Sequence, residues 1–142
     1  MYGNEESVGK GLRRYLELSG KRRSDIFITS KAGGDDVRKS LQESLEKLGL
    51  DYVDLYLSHS PLLTPARTQW PVMEALRKEG FARSVGVSNH RISDLEIIEE
   101  VGSIPPSVNQ VRTRQLTRRW PHTALRLTGR AGLAHRLRST RT

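Results

Sequence analysis

Short apolar runs alternate with segments of helical periodicity along most of this chain, and that alternation restricts the fold more than any other feature. Asn4 is placed to cap a helix whose Val8, Leu12, Tyr15 and Leu16 recur at helical spacing up to Gly20. Ile26-Phe27-Ile28, closed by Thr29-Ser30-Lys31 and then Gly33-Gly34, reads as a buried strand and its turn. Asp35 or Asp36 caps a second helix carrying Val37, Leu41, Leu45 and Leu48 ahead of Gly49. The cycle then repeats. A strand over 52–57 precedes a helix that starts at Thr68, turns Trp70, Met73 and Leu76 inward and stops at Gly80, with Pro71 tolerated in the first turn. A strand over 84–87 leads to a helix with Ile92, Leu95, Ile98 and Val101, and a fourth strand over 107–111 comes after Pro105-Pro106. Strands and helices alternating at this spacing imply an α/β chain with a parallel sheet and right-handed crossovers. Periodicity leaves open whether that sheet is open or part of a closed barrel.

Charge divides the chain in two. Residues 1–111 hold 15 Lys and Arg against 16 Asp and Glu, whereas residues 112–142 hold nine Arg and no acid, so the net charge of +8 averages two unlike segments. The strand–helix rhythm also stops after Val111, where scattered leucines give no clean strand, and the segment reads as an irregular, poorly ordered Arg-rich tail. Two units are therefore expected, a folded one over 1–111 and the tail over 112–142. Clustered Arg raises nucleic acid or an anionic membrane as a partner. Trp120 is the only aromatic in the tail and no helix-turn-helix pattern accompanies it, so nucleic acid is disfavoured. With no cysteine, thiolate metal sites and disulfides are excluded, and no metal site is expected. No stretch approaches the ~20 apolar residues of a membrane span, and the first residues lack the apolar core of a signal peptide. A soluble cytoplasmic protein is the expectation.

The carboxyl ends of the strands carry more specific information. Lys31 comes directly after the first strand, His59 after the second, Ser88 and Asn89 after the third, and Gln110 stands near the end of the fourth. In parallel α/β folds ligands bind at the carboxyl ends of strands, so these five side chains would converge on one rim. Each also has a plain structural reading: a solvated loop lysine, a loop histidine ahead of Ser-Pro, a Ser-Asn helix cap. Taken singly the plain readings prevail, but four strand ends in succession favour a site. Asp51 and Asp54, flanking the second strand, are structural on this reading, since nothing partners them for acid–base work. Gly33-Gly34 lacks the spacing of a dinucleotide or phosphate loop.

These residues fall in stretches that resemble the aldo-keto reductases: Tyr2-Gly3-Asn4-Glu5 with Val8-Gly9, Phe27-Ile28-Thr29-Ser30-Lys31, Asp54-Leu55-Tyr56-Leu57-Ser58-His59-Ser60-Pro61, Gly86-Val87-Ser88-Asn89 and Val108-Asn109-Gln110-Val111. They occur in family order and spacing over residues 2–111. The resemblance implies the closed alternative, a partial (β/α)8 TIM barrel with about four parallel strands. It also implies reduction of an aldehyde or ketone by NADPH, with Tyr2 as general acid, Lys31 as the cation that eases its proton loss, and His59 orienting the carbonyl. Ser88, Asn89 and Gln110 match the positions that hold the nicotinamide carboxamide.

Three departures accompany it. The family's catalytic Asp falls five positions before the Tyr, and this sequence begins one residue before Tyr2. After Val111 the chain reads Arg112-Thr113-Arg114-Gln115, with no counterpart of the segment that grips the cofactor's 2′-phosphate. Ser60 stands where the family often carries an aromatic. A barrel of this kind takes about 250 residues. The expectation is thus a truncated member with impaired catalysis. The alternatives are a non-catalytic or regulatory barrel relic, and a relic whose Arg-rich tail binds polyanions.

Overall fold

The computed structural model describes residues 3–62 and 65–111. Tyr2 and the whole of the segment 112–142 lie outside the described residues. Among the described residues the elements run in this order: helix α1 (Glu5–Ser19), a 3-10 turn (Arg23–Asp25), strand β1 (Thr29–Lys31), helix α2 (Val37–Leu48), strand β2 (Val53–Ser58), helix α3 (Ala66–Lys78), strand β3 (Ala82–Ser88), helix α4 (Ile92–Val101) and strand β4 (Asn109–Gln110). The strands form one sheet in the order β1-β2-β3-β4, every pair parallel. The result is a curled half-barrel with helices between successive strands, a partial (β/α)8 barrel.

Helix α2 forms as its sequence dictates. The Asp36 carboxylate accepts from the Lys39 amide at 2.9 Å, Gly49 closes the helix at φ 67°, and Val37, Leu41, Leu45 and Leu48 are all buried. Most of those side chains meet Tyr56, Trp70, Met73, Leu76, Val85 and Ile98 in one core between the helices and the sheet. Tyr56 is buried and donates its hydroxyl to the Val37 carbonyl at 2.9 Å, fastening β2 to the start of α2. On the opposite face of the sheet Gly86 lets neighbours close in: a Cβ there would stand 2.8 Å from the Val108 carbonyl oxygen and 2.9 Å from a Leu57 methyl.

Several boundaries differ from the sequence reading. The buried strand expected at Ile26-Phe27-Ile28 begins instead at Thr29, and Phe27 is 69% exposed. Arg23 starts the 3-10 turn and donates to the Ile26 carbonyl at 2.7 Å, and pairing with β2 begins only at the Ile28 carbonyl, which accepts from the Asp54 and Leu55 amides. Helix α3 starts two residues ahead of Thr68, which puts Pro71 in its second turn and leaves the Arg67 carbonyl without the amide that would normally meet it. Strand β3 extends through Ser88, and β4 is only two residues long. Asn4 does occupy the N-cap of α1, but its side chain makes no capping hydrogen bond.

Helix α1 packs through its backbone. A Cβ on Gly9 would fall 2.6 Å from the Leu48 carbonyl oxygen and 2.8 Å from that of Lys47, so α1 crosses the end of α2 at direct contact. Its Val8 and Tyr15 remain 45% and 47% exposed. No described helix is long and apolar enough to cross a membrane.

Candidate active site

The carboxyl ends of β2, β3 and β4 are knitted together by hydrogen bonds around Ser88 and Asn89. Ser88, the last residue of β3, is buried and donates its Oγ to the Gln110 carbonyl of β4 at 2.8 Å, while accepting from Asn89 Nδ2 at 3.1 Å. The Asn89 amide donates to the same Gln110 carbonyl at 2.9 Å, and its Nδ2 also reaches the His59 carbonyl beyond β2 at 3.4 Å. Asn89 sits at φ 58°, the left-handed region that Asn tolerates better than most side chains. The helix-cap reading of Ser88-Asn89 is therefore wrong. The N-cap of α4 is Arg91, whose amide donates to the Asp94 carboxylate at 2.8 Å, leaving Ser88 and Asn89 to the strand ends.

Of the residues read as a rim, His59, Ser88, Asn89 and Gln110 come together in this network. The Gln110 side chain is exposed and hydrogen-bonds to no described residue, and the same lack of a partner holds for Asn89 Oδ1. Lys31 ends β1, the next strand over, is half-buried, and forms no ion pair among the described residues. Its strand is joined to β2 at this end by the Ala32 amide, which donates to Leu57 O at 2.9 Å. Tyr2 lies outside the described residues.

Two further residues belong to this cluster that the sequence reading gave no role, although Asn109 falls in one of the stretches that resemble the family. His90 is buried, with Nδ1 3.0 Å from the Ser88 carbonyl, so Nδ1 carries the proton and donates. Asn109 of β4 clasps its backbone from both sides, donating Nδ2 to the His90 carbonyl at 2.8 Å and accepting from the His90 amide at 3.4 Å. The turn that holds Asn89 in its left-handed conformation is thus fixed from β4. Only the tertiary fold brings residues 90 and 109 together; neither spacing nor composition marks them.

His90 Nε2 is buried without a partner among the described residues, and burial pushes the imidazole below its ordinary pKa despite the Ser88 carbonyl and the Asp94 charge. An imidazole lowered in this way is neutral in the fold over a range where the unfolded chain binds a proton. Its contribution to stability is complete above the unfolded value of 6.5 and drains away as pH falls from there toward the folded value. Urea midpoints measured between about pH 7.5 and 5 should decline over that range, and His90→Gln should flatten the decline.

The rim is held from behind by α3. Ser58 Oγ donates to Gln69 Oε1 in the buried layer between β2 and α3. Glu74 Oε1 accepts from Trp70 Nε1 at 3.1 Å and from the amides of Ser103 and Ile104 at 2.6 and 2.8 Å, and Trp70 Nε1 also donates to the Ile104 carbonyl. One carboxylate oxygen therefore ties α3 to the segment that delivers β4.

At the opposite, amino-terminal end of the sheet, Asp54 has the partners its sequence context did not reveal. Its buried carboxylate accepts from Arg23 at 2.8 Å, the Ile28 amide at 2.9 Å and Arg83 at 3.4 Å. Burial alone would raise its pKa, but the Ile28 amide and the two guanidiniums outweigh burial and hold the carboxyl below the ordinary value. Both arginines stack on the Tyr52 ring at 4.3 Å. The structural reading of Asp54 stands. A separate cleft of about 620 Å³ runs along the outer edge of β1 between α1 and α2 and reaches Lys31 at one end.

Comparison with known proteins agrees with this architecture. The model of the Aldo/keto reductase family matches residues 1–133. The chain is 43% identical over 116 residues to the oxidoreductase YtbE of Bacillus subtilis (strain 168), covering 78% of this chain and 41% of that protein. It is 45% identical over 118 residues to the NAD/NADP-dependent indole-3-acetaldehyde reductase of Schizosaccharomyces pombe, covering 78% and 40%. It therefore spans about two fifths of the length of these curated relatives. Among solved structures, the aldose reductase of Schistosoma japonicum superposes with a TM-score of 0.73 at 34% identity, covering 78% of this chain and 45% of that one. A Bombyx mori aldo-keto reductase in complex with NADP superposes with a TM-score of 0.72 at 36% identity, covering 78% and 41%. With the parallel half-barrel, the rim of strand ends and the family match in agreement, this chain belongs to the aldo/keto reductase family.

Proposed function

We propose that this chain carries the reductase chemistry of its family: reduction of an aldehyde or ketone to an alcohol, with NADPH as the hydride donor. The observation that carries this reading is the Ser88–Asn89–Gln110–His59 network, in which three successive strand ends converge on one rim. A primary carboxamide needs an acceptor for its NH2 and a donor for its oxygen. Asn89 Oδ1 and the Gln110 side chain, both without partners among the described residues, offer that pairing, so these residues fit a nicotinamide. When bound, NADPH supplies the hydride.

The chain's own residues supply orientation and a proton. Tyr2 protonates the carbonyl oxygen, and because an ordinary tyrosine has a pKa of about 10, it needs a neighbour that favours the phenolate. Lys31, at the β1 strand end, provides that cation. His59 hydrogen-bonds the carbonyl oxygen and sets its angle. Relatives named as glyoxal reductase and methylglyoxal reductase favour small carbonyl compounds as substrates. Turnover by the 142-residue chain alone is weak on this reading, because the four described strands form only part of a rim. The cytoplasm is the proposed location.

The test is direct. Titrating the purified chain into NADPH should raise and blue-shift the dihydronicotinamide fluorescence, and Gln110→Ala should weaken binding about tenfold, the loss of one hydrogen bond to a bound group. An unchanged emission at millimolar chain would overturn the assignment of Ser88, Asn89 and Gln110 to the cofactor.

A further inference from the structure

Asn89 is held at φ 58°, a conformation that asparagine tolerates without selecting, so whatever holds it there decides where its side chain points. Two contacts fix that side chain. Both hydrogens of Nδ2 are committed, one to Ser88 Oγ at 3.1 Å and one to the His59 carbonyl at 3.4 Å, and because the amide is planar, Oδ1 faces the other way. The main chain is fixed from β4. In a regular parallel strand the N–H and C=O of one residue face one edge, and those of the next residue face the opposite edge. The amides of Val87 and Asn89 both donate to β4, to the Val108 and Gln110 carbonyls at 2.9 Å, so a continued strand would turn His90 toward β2. Instead the His90 carbonyl accepts from Asn109 Nδ2 at 2.8 Å and the His90 amide donates to Asn109 Oδ1 at 3.4 Å. The left-handed residue is what brings His90 back to the β4 edge, so the clasp and the turn at Asn89 form together. The His90 ring closes the turn locally by donating Nδ1 to the Ser88 carbonyl at 3.0 Å.

We propose that Asn109 is a positioning residue for the cofactor site: by clasping His90 it keeps Asn89 left-handed and so aims Asn89 Oδ1 at the NH2 of a bound nicotinamide carboxamide. This inference rests on the reading of Ser88, Asn89 and Gln110 as the carboxamide site. The clasp calls for a side chain that both donates and accepts. A carboxylate of the same shape cannot donate and would set a negative charge against the His90 carbonyl, and an alanine offers neither group. Strand β4 then serves the site twice, because adjacent side chains of a strand point to opposite faces: the half-buried Asn109 holds the turn, and the exposed Gln110 meets the ligand.

Calorimetry on the full chain tests this with NADPH and its acetylpyridine analogue, in which a methyl group replaces the carboxamide NH2. The parent should bind NADPH about tenfold more tightly than the analogue, the effect of one hydrogen bond, and Asn89→Ala should make the two affinities equal. Asn109→Ala and Asn109→Asp should also make them equal, although neither removes a group that touches the ligand. A merely structural role would leave the ratio alone, since a smaller binding-competent fraction weakens both ligands by the same factor. Retention of the tenfold preference in the Asn109 variants would overturn the proposal and leave the carboxamide reading standing. A parent chain that binds the two ligands equally, or binds neither, would overturn that reading and the proposal with it.

Discussion

Asp54→Ala should lower the stability of the fold by about 3 kcal/mol or more, a large share of the roughly 5–15 kcal/mol typical of a domain. The reason lies less in the lost attraction than in the charge left behind. Arg23, whose side chain is 18% exposed, would keep a guanidinium that has no other anion beside it among the described residues, and the Ile28 amide would lose the acceptor that fixes the entry to β1. Arg83→Ala is the matching control. That side chain is 55% exposed and meets Asp54 at only 3.4 Å, so its removal should cost less than about 1 kcal/mol. Urea unfolding followed by circular dichroism measures both. The depressed Asp54 pKa adds a pH signature: its stabilisation is fully present above the unfolded carboxyl value of about 4 and drains away as pH falls toward the folded one. Parent and Asp54→Ala curves should converge in acid. Parallel curves would mean that the carboxylate is not the group that titrates.

Lys31→Met carries the largest expected effect on chemistry. If the cation eases proton loss from Tyr2, its removal returns the phenol toward its ordinary pKa of about 10 and lowers turnover by roughly 10²- to 10⁴-fold. Carbonyl-dependent NADPH oxidation gives the rate. The pH profile separates this role from a structural one: in Lys31→Met the limb where activity falls at high pH should move upward, because the acid now keeps its proton to higher pH. A lysine that merely shaped the end of β1 would lower the rate and leave that limb in place.

How far the sequence could be read depended on whether local physics or a distant partner decided each position. Helix α2 was fully legible, since its cap, its apolar repeat and its αL glycine are all properties of residues 36–49. The parallel order of the strands was legible from the alternation. The start of β1 was not, because Ile26 and Phe27 have the composition of a strand, yet Arg23 captures the Ile26 carbonyl and Asp54, 26 residues on, captures the Ile28 amide. Asp54 itself read as having no partners for the same reason. In the rim, Lys31, His59, Ser88, Asn89 and Gln110 were legible as polar residues at strand ends, and the family resemblance singled out the same five. His90 and Asn109 were not, since their significance lies in a clasp between two strands' ends and leaves no spacing rule behind. Tyr2 and the expected tail over 112–142 fall outside the described residues.

The β1-β2-β3-β4 order has a consequence for how the protein is made. Each described strand pairs with the next one in the chain, and none of these pairings waits for a residue from the far end. As synthesis proceeds from the amino terminus, every new helix–strand unit emerges beside a finished template, so the sheet can lengthen one strand at a time on the ribosome. Pairing each strand with its neighbour in sequence limits the loop closed at each step to one strand–helix unit. Ribosome-bound intermediates of increasing length should gain protease resistance in steps, one per strand.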